Sequence, residues 1–507
     1  MIKLPTSSQT READAYTISS KAISSLELME AASLAFVKAF KVEIPDENET
    51  ISIYCGTGNN GGDGLAIARL LKEEGYDRLS VKIVRFSANL TEDFKANFNR
   101  LHLTGIPIIE LSQSKDLPEE EATVIIDALI GSGLNKPVEG KLKSLIEYLN
   151  ALQRRIIAVD VPSGFPSEGI IDPATSILKA NLAISFQRPK INFFFPESAK
   201  ILDRFKVVQI GLDENFIQTL PGPWKLIEEK DIRRLIKPRK AFSHKGTYGH
   251  ALIIAGSTET MGAALLCADA CLHSGVGLTS VCIPKEGLCA LNTRSPEIMA
   301  LIRQDMFAVN QLDKYSSIAI GPGLGTDQKA IALVEQVMTY KKTPMVFDAD
   351  ALTILSLYPD PIAIRWEKLP EMAILTPHVK EFDRMFGEHS SWWERVETAR
   401  IKAREFKLII LLKNQYSFIV LPDGDVLINP TGNPAMATGG MGDVLTGMIA
   451  AFLAQAYSPS EAVMLACYIH GKAGDELKEK DGMFIIPPRY IIKKIPEIIN
   501  TYSHPEL

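Results

Sequence analysis

The chemistry of this chain is most legible around Asp443, which follows Gly439, Gly440, Met441 and Gly442 and leads into the apolar run of residues 444–453. Glycines let a backbone turn tightly and bring its amides against a ligand. The first N–H groups of a helix starting there have no internal partners and sit at the positive end of its dipole. Such an end holds a phosphate, or the charge developing on one. A carboxylate at that spot cannot donate to an anion, so its uses are to accept a proton or bind a metal. The structural alternative is a glycine-rich turn with Asp443 as an ordinary first-turn residue.

A second constellation lies in the first half. A strand-like run, residues 51–55, is followed by Gly56, Gly58, Asn59, Asn60, Gly61, Gly62, Asp63 and Gly64, and then by a helical pattern over 65–74. Strand, glycine loop and helix form a phosphate cradle in doubly wound sheets. The two asparagines and the aspartate set this loop apart from the common dinucleotide fingerprint. Two further polar glycine loops, residues 127–135 and 160–164, also follow strand-like runs. All three should converge at one edge of a sheet. Asn60, Asp127 and Ser163 offer only oxygen ligands with a single charge, a set suited to a weakly charged hard cation such as potassium. Alternatively, Asp127 and Asp160 cap neighbouring loops.

The elements that must position these groups alternate in type. Helical periodicity runs over 12–40, and strand-like runs occupy 80–86, 123–127, 155–160, 182–186 and 206–210. In the second half, strand-like runs at 250–255, 278–283, 317–320, 344–348, 373–376 and 408–413 alternate with helical stretches such as 262–273 and 460–470. Pro422, Asp423 and Gly424 signal a hairpin. The pattern predicts an α/β protein with two doubly wound, three-layer domains. With 507 residues the chain exceeds one ordinary core. Pro221, Gly222, Pro223 and Pro238 punctuate the joint, giving domains at 1–218 and 241–507 with a linker at 219–240. Within that linker, residues 224–236 have the makings of a helix. The halves share no fixed-period repeat, so this is a fusion and not a duplication.

Composition excludes several classes. A net charge of −6 argues against a general nucleic-acid binder. No apolar stretch reaches the ~20 residues that cross a bilayer, and residues 1–15 lack a signal core, so a cytoplasmic location is expected. The six cysteines show no CxxC pair or zinc spacing, and Cys267 and Cys271 suit core packing. More polar groups sit after the strands of the second half. They are the loop from Gly321 to Gly325, His378, the segment from Lys413 to Ser417, and Asp348 with Asp350, which either bind magnesium or cap the following helix.

The motifs "GTGNNGGDG", "DALIGSG" and "VDVPSG", with Leu28, Met29 and Glu30, resemble the YjeF N-terminal family of NAD(P)HX epimerases over residues 3–218. The resemblance implies a Rossmann-like domain that binds the hydrated dinucleotide through Asn59, Asn60, Gly61, Gly62 and Asp63. A second loop, Gly131, Ser132, Gly133, Leu134, Asn135, Lys136 and Pro137, would bind the same ligand, as would Asp160. It also implies potassium on Asn60, Asp127 and Ser163. Asp160 is the candidate acid–base group, with Lys190 behind it. The chain departs from the family at Ala31, Ala32 and Ser33, where Arg-Ala-Gly is frequent, and at Gln187, where Gly is common.

In the second half "HKGTYGHALIIAGS", "GPGLG", "DADAL", "LTPHVKEF" and "NPAMATGGMGDVLTG" resemble the ribokinase-like ADP/ATP-dependent NAD(P)HX dehydratases over residues 242–492. The resemblance implies that Ala263, Gly323, Gly325, His378 and Asp443 contact the hydrate. It implies that Lys413, Asn414, Gln415, Tyr416, Ser417 and Gly442 hold adenine nucleotide, accompanied by magnesium. The family commonly has small residues and threonine in the Lys413 segment, where this chain has Asn414, Gln415 and Tyr416. Together the two resemblances imply a repair enzyme that interconverts the R and S forms of NADHX or NADPHX and dehydrates the S form, with ADP as the expected donor. A homo-oligomer is expected.

Overall fold

Alternating apolar runs and helical patterns fold into two largely parallel sheets in a computed structural model that describes residues 1–86, 90–111, 119–133, 138–303, 309–357 and 366–503. Leu134, Asn135, Lys136 and Pro137 lie outside the described residues. Two units form: one of Lys3–Gly222 with Ser391–Trp393, the other of Met1–Ile2, Pro223–Ser390 and Glu394–Leu507.

The first unit holds a seven-stranded parallel sheet in the order Ile108–Leu111, Leu79–Val84, Ile51–Cys55, Val124–Ala128, Arg155–Val159, Leu182–Phe186, Phe205–Val208. Every residue of Ile51–Cys55 and of Val124–Ala128 is buried. Continuous apolar strands are what a parallel sheet covered on both faces requires. The chain builds outward from Ile51–Cys55 in one direction, then crosses and builds in the other. The switch point therefore falls between Ile51–Cys55 and Val124–Ala128, and a crevice opens beyond their carboxyl ends.

The helical pattern over 12–40 is two helices, Ser7–Lys21 and Ser25–Glu43. Ala22 turns left-handed at φ 52° and ends the first. Ser24 and Glu27 form a capping box that starts the second. No Gly or Pro marks the break, so the periodicity runs through it.

Inward from Trp224–Leu226, the strands of the second unit run in the order Trp224–Leu226, Val426–Ile428, Phe418–Val420, Ile409–Leu412, Ile374–Leu375, Met345–Phe347, Ser317–Ile320, His250–Ile254, Leu278–Ile283, Met299–Ile302. Phe418–Val420 and Val426–Ile428 form the expected hairpin. Residues 224–236 do not form one helix: Trp224–Leu226 is a strand paired in parallel with Val426–Ile428, and the helix Glu229–Leu235 follows it. The switch point lies between His250–Ile254 and Ser317–Ile320.

The helix Met441–Ala454 is buried from Val444 onward. It packs against Met261–His273 so closely that a Cβ on Gly447 would fall 2.0 Å from the Cys267 carbonyl oxygen. Cys267 and Cys271 are free, buried thiols in that contact layer. Among the described residues no helix is long and apolar enough to cross a membrane.

Candidate active sites

In the first unit a cavity of about 750 Å³ opens at the switch point, lined by Asn59, Asn60, Asp63, Gly131, Ser132, Gly133, Asp160 and Lys190 among others. Gly61 and Gly62 are buried behind it. A Cβ on Gly61 would meet the Gly56 carbonyl oxygen at 1.8 Å, and one on Gly56 the Leu129 carbonyl oxygen at 2.0 Å. Glycine at 61 lets the loop close on itself, and glycine at 56 lets it seat against the loop at Leu129.

Asp127 is fully buried at the end of its strand. Its Oδ1 accepts from Ser163 Oγ at 2.6 Å and Leu129 N at 3.2 Å, and its Oδ2 from Ser163 N at 2.7 Å. The carboxylate thus does tie the loops together. Burial pushes its pKa up to about 6, and the opposing forces are hydrogen bonds, with no cationic side chain among them. Asn60 reaches the same corner: a Cβ on Gly131 would lie 3.2 Å from Asn60 Oδ1, and Asn60 Nδ2 is buried without a partner. A buried carboxylate lacking a counter-charge, with the Asn60 amide oxygen and the Ser163 hydroxyl oxygen near it, is a donor set that fits a monovalent cation held by oxygens; the unpartnered Asn60 Nδ2 is a donor and adds no ligand.

Asp160 takes the left-handed region at φ 65°, a backbone strain that non-glycine residues rarely carry. The turn aims its carboxylate back at the sheet. There Oδ1 accepts from Phe186 N at 3.0 Å and Ser185 Oγ at 3.1 Å, and lies 2.7 Å from Lys190 Nζ. Sequence reading missed the third side of this cavity. The helix Ser7–Lys21 contributes Thr10, Arg11 and Asp14. Burial pushes Asp14 up to about 6, with Lys190 and Arg11 opposing and Asp160 adding to the shift. Burial also raises Asp63 well above the usual carboxylate range, helped by Asp160, Asp14 and Asp93.

In the second unit a cavity of about 310 Å³ is lined by Lys413, Asn414, Gln415, Ser417 and Gly442, with apolar walls from Met436, Met441 and Leu445. Tyr416 is not part of its lining. His470 is, and its Nε2 is buried without a hydrogen-bond partner. A lone histidine inside a helix gave no sequence signal of this.

On the far side of Gly442 stands a charged cluster. Gly440 caps the helix Met441–Ala454 in the left-handed region at φ 94°, with no side chain bonding the first amides. Those amides remain available to an anion. Burial pushes Asp443 up to about 6, Asp348 and Asp350 add to the shift, and Lys413 opposes it. Asp348 and Asp350 do not cap their helix through their side chains. Asp348 bonds Lys413 and Thr446, and Asp350 Oδ2 accepts from Gly325 N at 2.8 Å. Burial works against the Asp348 charge, but Lys413, Thr446 and Thr376 outweigh it and hold the carboxyl below its usual range.

Ala263, Gly323 and Gly325 meet at the second switch point. Thr260 Oγ1 donates to the Gly323 carbonyl at 2.6 Å. A Cβ on Gly323 would lie 2.9 Å from that of Ala263. His378 caps its own helix: its Nδ1 accepts from Glu381 N at 3.3 Å, which leaves the proton on Nε2, 3.3 Å from Glu381 Oε1. Burial lowers the His378 pKa, and Lys413 lowers it further. Among the described residues no group of three or more His, Cys, Asp or Glu is arranged to hold a metal. Magnesium here would be carried chiefly by a nucleotide's phosphates, which is its habit.

The family described as NAD(P)H-hydrate dehydratase matches residues 251–497, and the one described as YjeF-related protein N-terminus matches residues 25–192. A Moorella thermoacetica protein called bifunctional NAD(P)H-hydrate repair enzyme Nnr is 32% identical over 518 residues, spanning 98% of this chain and 96% of that one. A protein of the same name from Escherichia coli is 30% identical over 469 residues, spanning 90% and 86%. Among solved structures, a ribokinase-like superfamily protein from Enterococcus faecalis is similar with a TM-score of 0.51 and 28% identity. It covers 56% of this chain and 99% of that one.

Proposed function

Because this chain belongs to the family of bifunctional NAD(P)H-hydrate repair enzymes, we propose that its first cavity epimerises hydrated NAD(P)H and its second site dehydrates one epimer with an adenine nucleotide. The chain is an NAD(P)H-hydrate dehydratase and epimerase. Residues 1–218 are assigned to the epimerase and 241–507 to the dehydratase, whose unit also takes in residues 223–240, with ADP as the donor.

The observation that carries the dehydratase assignment is the placement of Asp443. It sits at an uncapped helix start between the cavity lined by Gly442 and Lys413 and the glycine loop at the switch point. The hydrate carries a hydroxyl on C6, next to ring nitrogen N1, and hydroxide is a poor leaving group. Asp443 takes the hydroxyl proton as the oxygen attacks the terminal phosphoryl of the nucleotide. Free amides at the helix start and Lys413 stabilise the transferring charge. The C6–O bond then breaks as the N1 lone pair moves toward C6. Loss of a C5 proton restores the C5–C6 double bond. With ADP the sum is hydrate plus ADP giving NAD(P)H, AMP and phosphate. Magnesium would neutralise phosphate charge, and potassium, held by Asn60, Asp127 and Ser163, would fix the loops of the first cavity.

The test mixes the full chain with both NADHX epimers and ADP, and follows reduced-nicotinamide absorbance and phosphate. Complete recovery of NADH from both epimers, with stoichiometric phosphate, is expected. A stable phosphorylated product without NADH would make this a small-molecule kinase instead.

A further inference from the structure

We propose that Asp14 is the residue that exchanges a proton with the C6 hydroxyl of the hydrated dinucleotide during epimerisation, an inference that rests on reading the first cavity as the epimerase site. The helix Ser7–Lys21 lays Thr10, Arg11 and Asp14 along one wall of that cavity, and Asp63, Asp160 and Lys190 line it as well. Lys190 is paired with Asp160 and also acts on Asp14, so these two carboxyl groups share one buried ammonium.

Their surroundings separate their roles. Lys190 and two further donors hold Asp160 by a single oxygen, so Asp160 and Lys190 form a fixed pair that orients a ligand. Burial and the neighbouring carboxylates of Asp160, Asp14 and Asp93 raise Asp63 well above the usual carboxylate range. Asp14 has neither a fixed partner nor full burial. It lies among Arg11 on its own helix, Asp63, Asp160 and Lys190, with Glu139 also on the cavity lining. The result is a carboxyl that titrates at about 6, close to the range in which a group both takes and returns protons efficiently.

The reaction needs such a group. The C6 hydroxyl and N1 share one carbon, so the hydrate is a cyclic hemiaminal. Asp14 carboxylate removes the hydroxyl proton. The oxygen pair forms a C6 carbonyl as the C6–N1 bond breaks, and the bond's electrons pass to N1 and its conjugated carboxamide. Rotation about C5–C6 presents the other carbonyl face. N1 re-adds, and Asp14 returns the proton to the new alkoxide. No oxidant or co-reactant is consumed.

The experiment uses the full chain and purified R-epimer without ADP, with conversion followed by chromatography and corrected for the uncatalysed rate. Asp14→Asn should lower the epimerisation rate at least a hundredfold, about the lower bound for a general base. NADHX affinity should stay within threefold, and ADP-driven dehydration of the S form should be unchanged. Asp14→Glu should restore part of the rate, and the wild-type acid limb near pH 6 should move in that variant. An Asp14→Asn enzyme that epimerises within threefold of wild type, or that loses affinity in proportion to rate, would overturn the assignment. A wild-type chain inert toward the R-epimer would instead sink the epimerase reading itself.

Discussion

Lys413 Nζ lies 2.8 Å from Asp348 Oδ1, while Thr446 Oγ1 donates to Asp348 Oδ2 at 2.7 Å. The contact ties together the ends of two strands, Met345–Phe347 and Ile409–Leu412, that flank Ile374–Leu375 in the sheet. Removing the lysine strands a buried carboxylate. Lys413→Met should lower unfolding free energy by about 3 kcal/mol, the low end for a broken buried pair because Lys413 is partly open to solvent. Urea unfolding at pH 7.5 measures it. Because Lys413 also opposes the rise in the Asp443 pKa, the acid limb of dehydration should move above pH 6 in this variant.

Asp443→Asn should cut ADP-driven dehydration by about 10²–10⁴-fold with nucleotide and hydrate affinities retained. The substitution should also stabilise the fold in a defined window. The folded Asp443 pKa is raised from 3.8 to about 6, so ionising it costs stability as pH rises through 6. The variant should match wild type below about pH 4 and exceed it above pH 6, by on the order of 3 kcal/mol. Equal melting at pH 5 and pH 8 would contradict the burial argument.

His470 Nε2 is the one unpartnered polar atom buried on the lining of the smaller cavity among the described residues. Burial lowers its pKa to about 4, so the imidazole is neutral at working pH. An unsatisfied buried nitrogen calls for a ligand partner. His470→Ala should raise the KM for ADP roughly threefold to tenfold, the value of one hydrogen bond, while kcat and the KM for the hydrate hold. Steady-state kinetics at varied ADP decides it. A change confined to the hydrate KM would assign the cavity to the wrong substrate.

Asp127→Asn should abolish the dependence of the first unit's stability on potassium. Wild-type protein should melt about 2–4 °C higher in potassium than in lithium chloride at equal ionic strength. The variant should show no difference, and a potassium response that survives would rule out the cation at that corner.

What could be seen in the sequence was what is local. The loop from Gly56 to Gly64 and the one from Gly321 to Gly325 declare themselves because each performs its turn within a few residues. The strand ends then place them correctly. Asp14 was invisible because it is one acidic residue on a largely polar helix, and only tertiary packing lays that helix along the cavity. From sequence alone Asp348 and Asp350 suit either magnesium binding or capping of the next helix, because their partners Lys413, Thr446 and Gly325 come from distant parts of the chain. The break at Ala22 escaped for the opposite reason, since an alanine in the left-handed region leaves no mark on hydrophobic periodicity.

The strand Trp224–Leu226 covers one side of Val426–Ile428. That small pairing constrains how the gene can be cut. A deletion that began the downstream half at Ala241 would expose a bare β edge rich in Val, Leu and Ile, an invitation to intermolecular stacking. A break just ahead of Pro223 would carry the protective strand along. Evolutionary or engineered separation of the halves should therefore respect the earlier point.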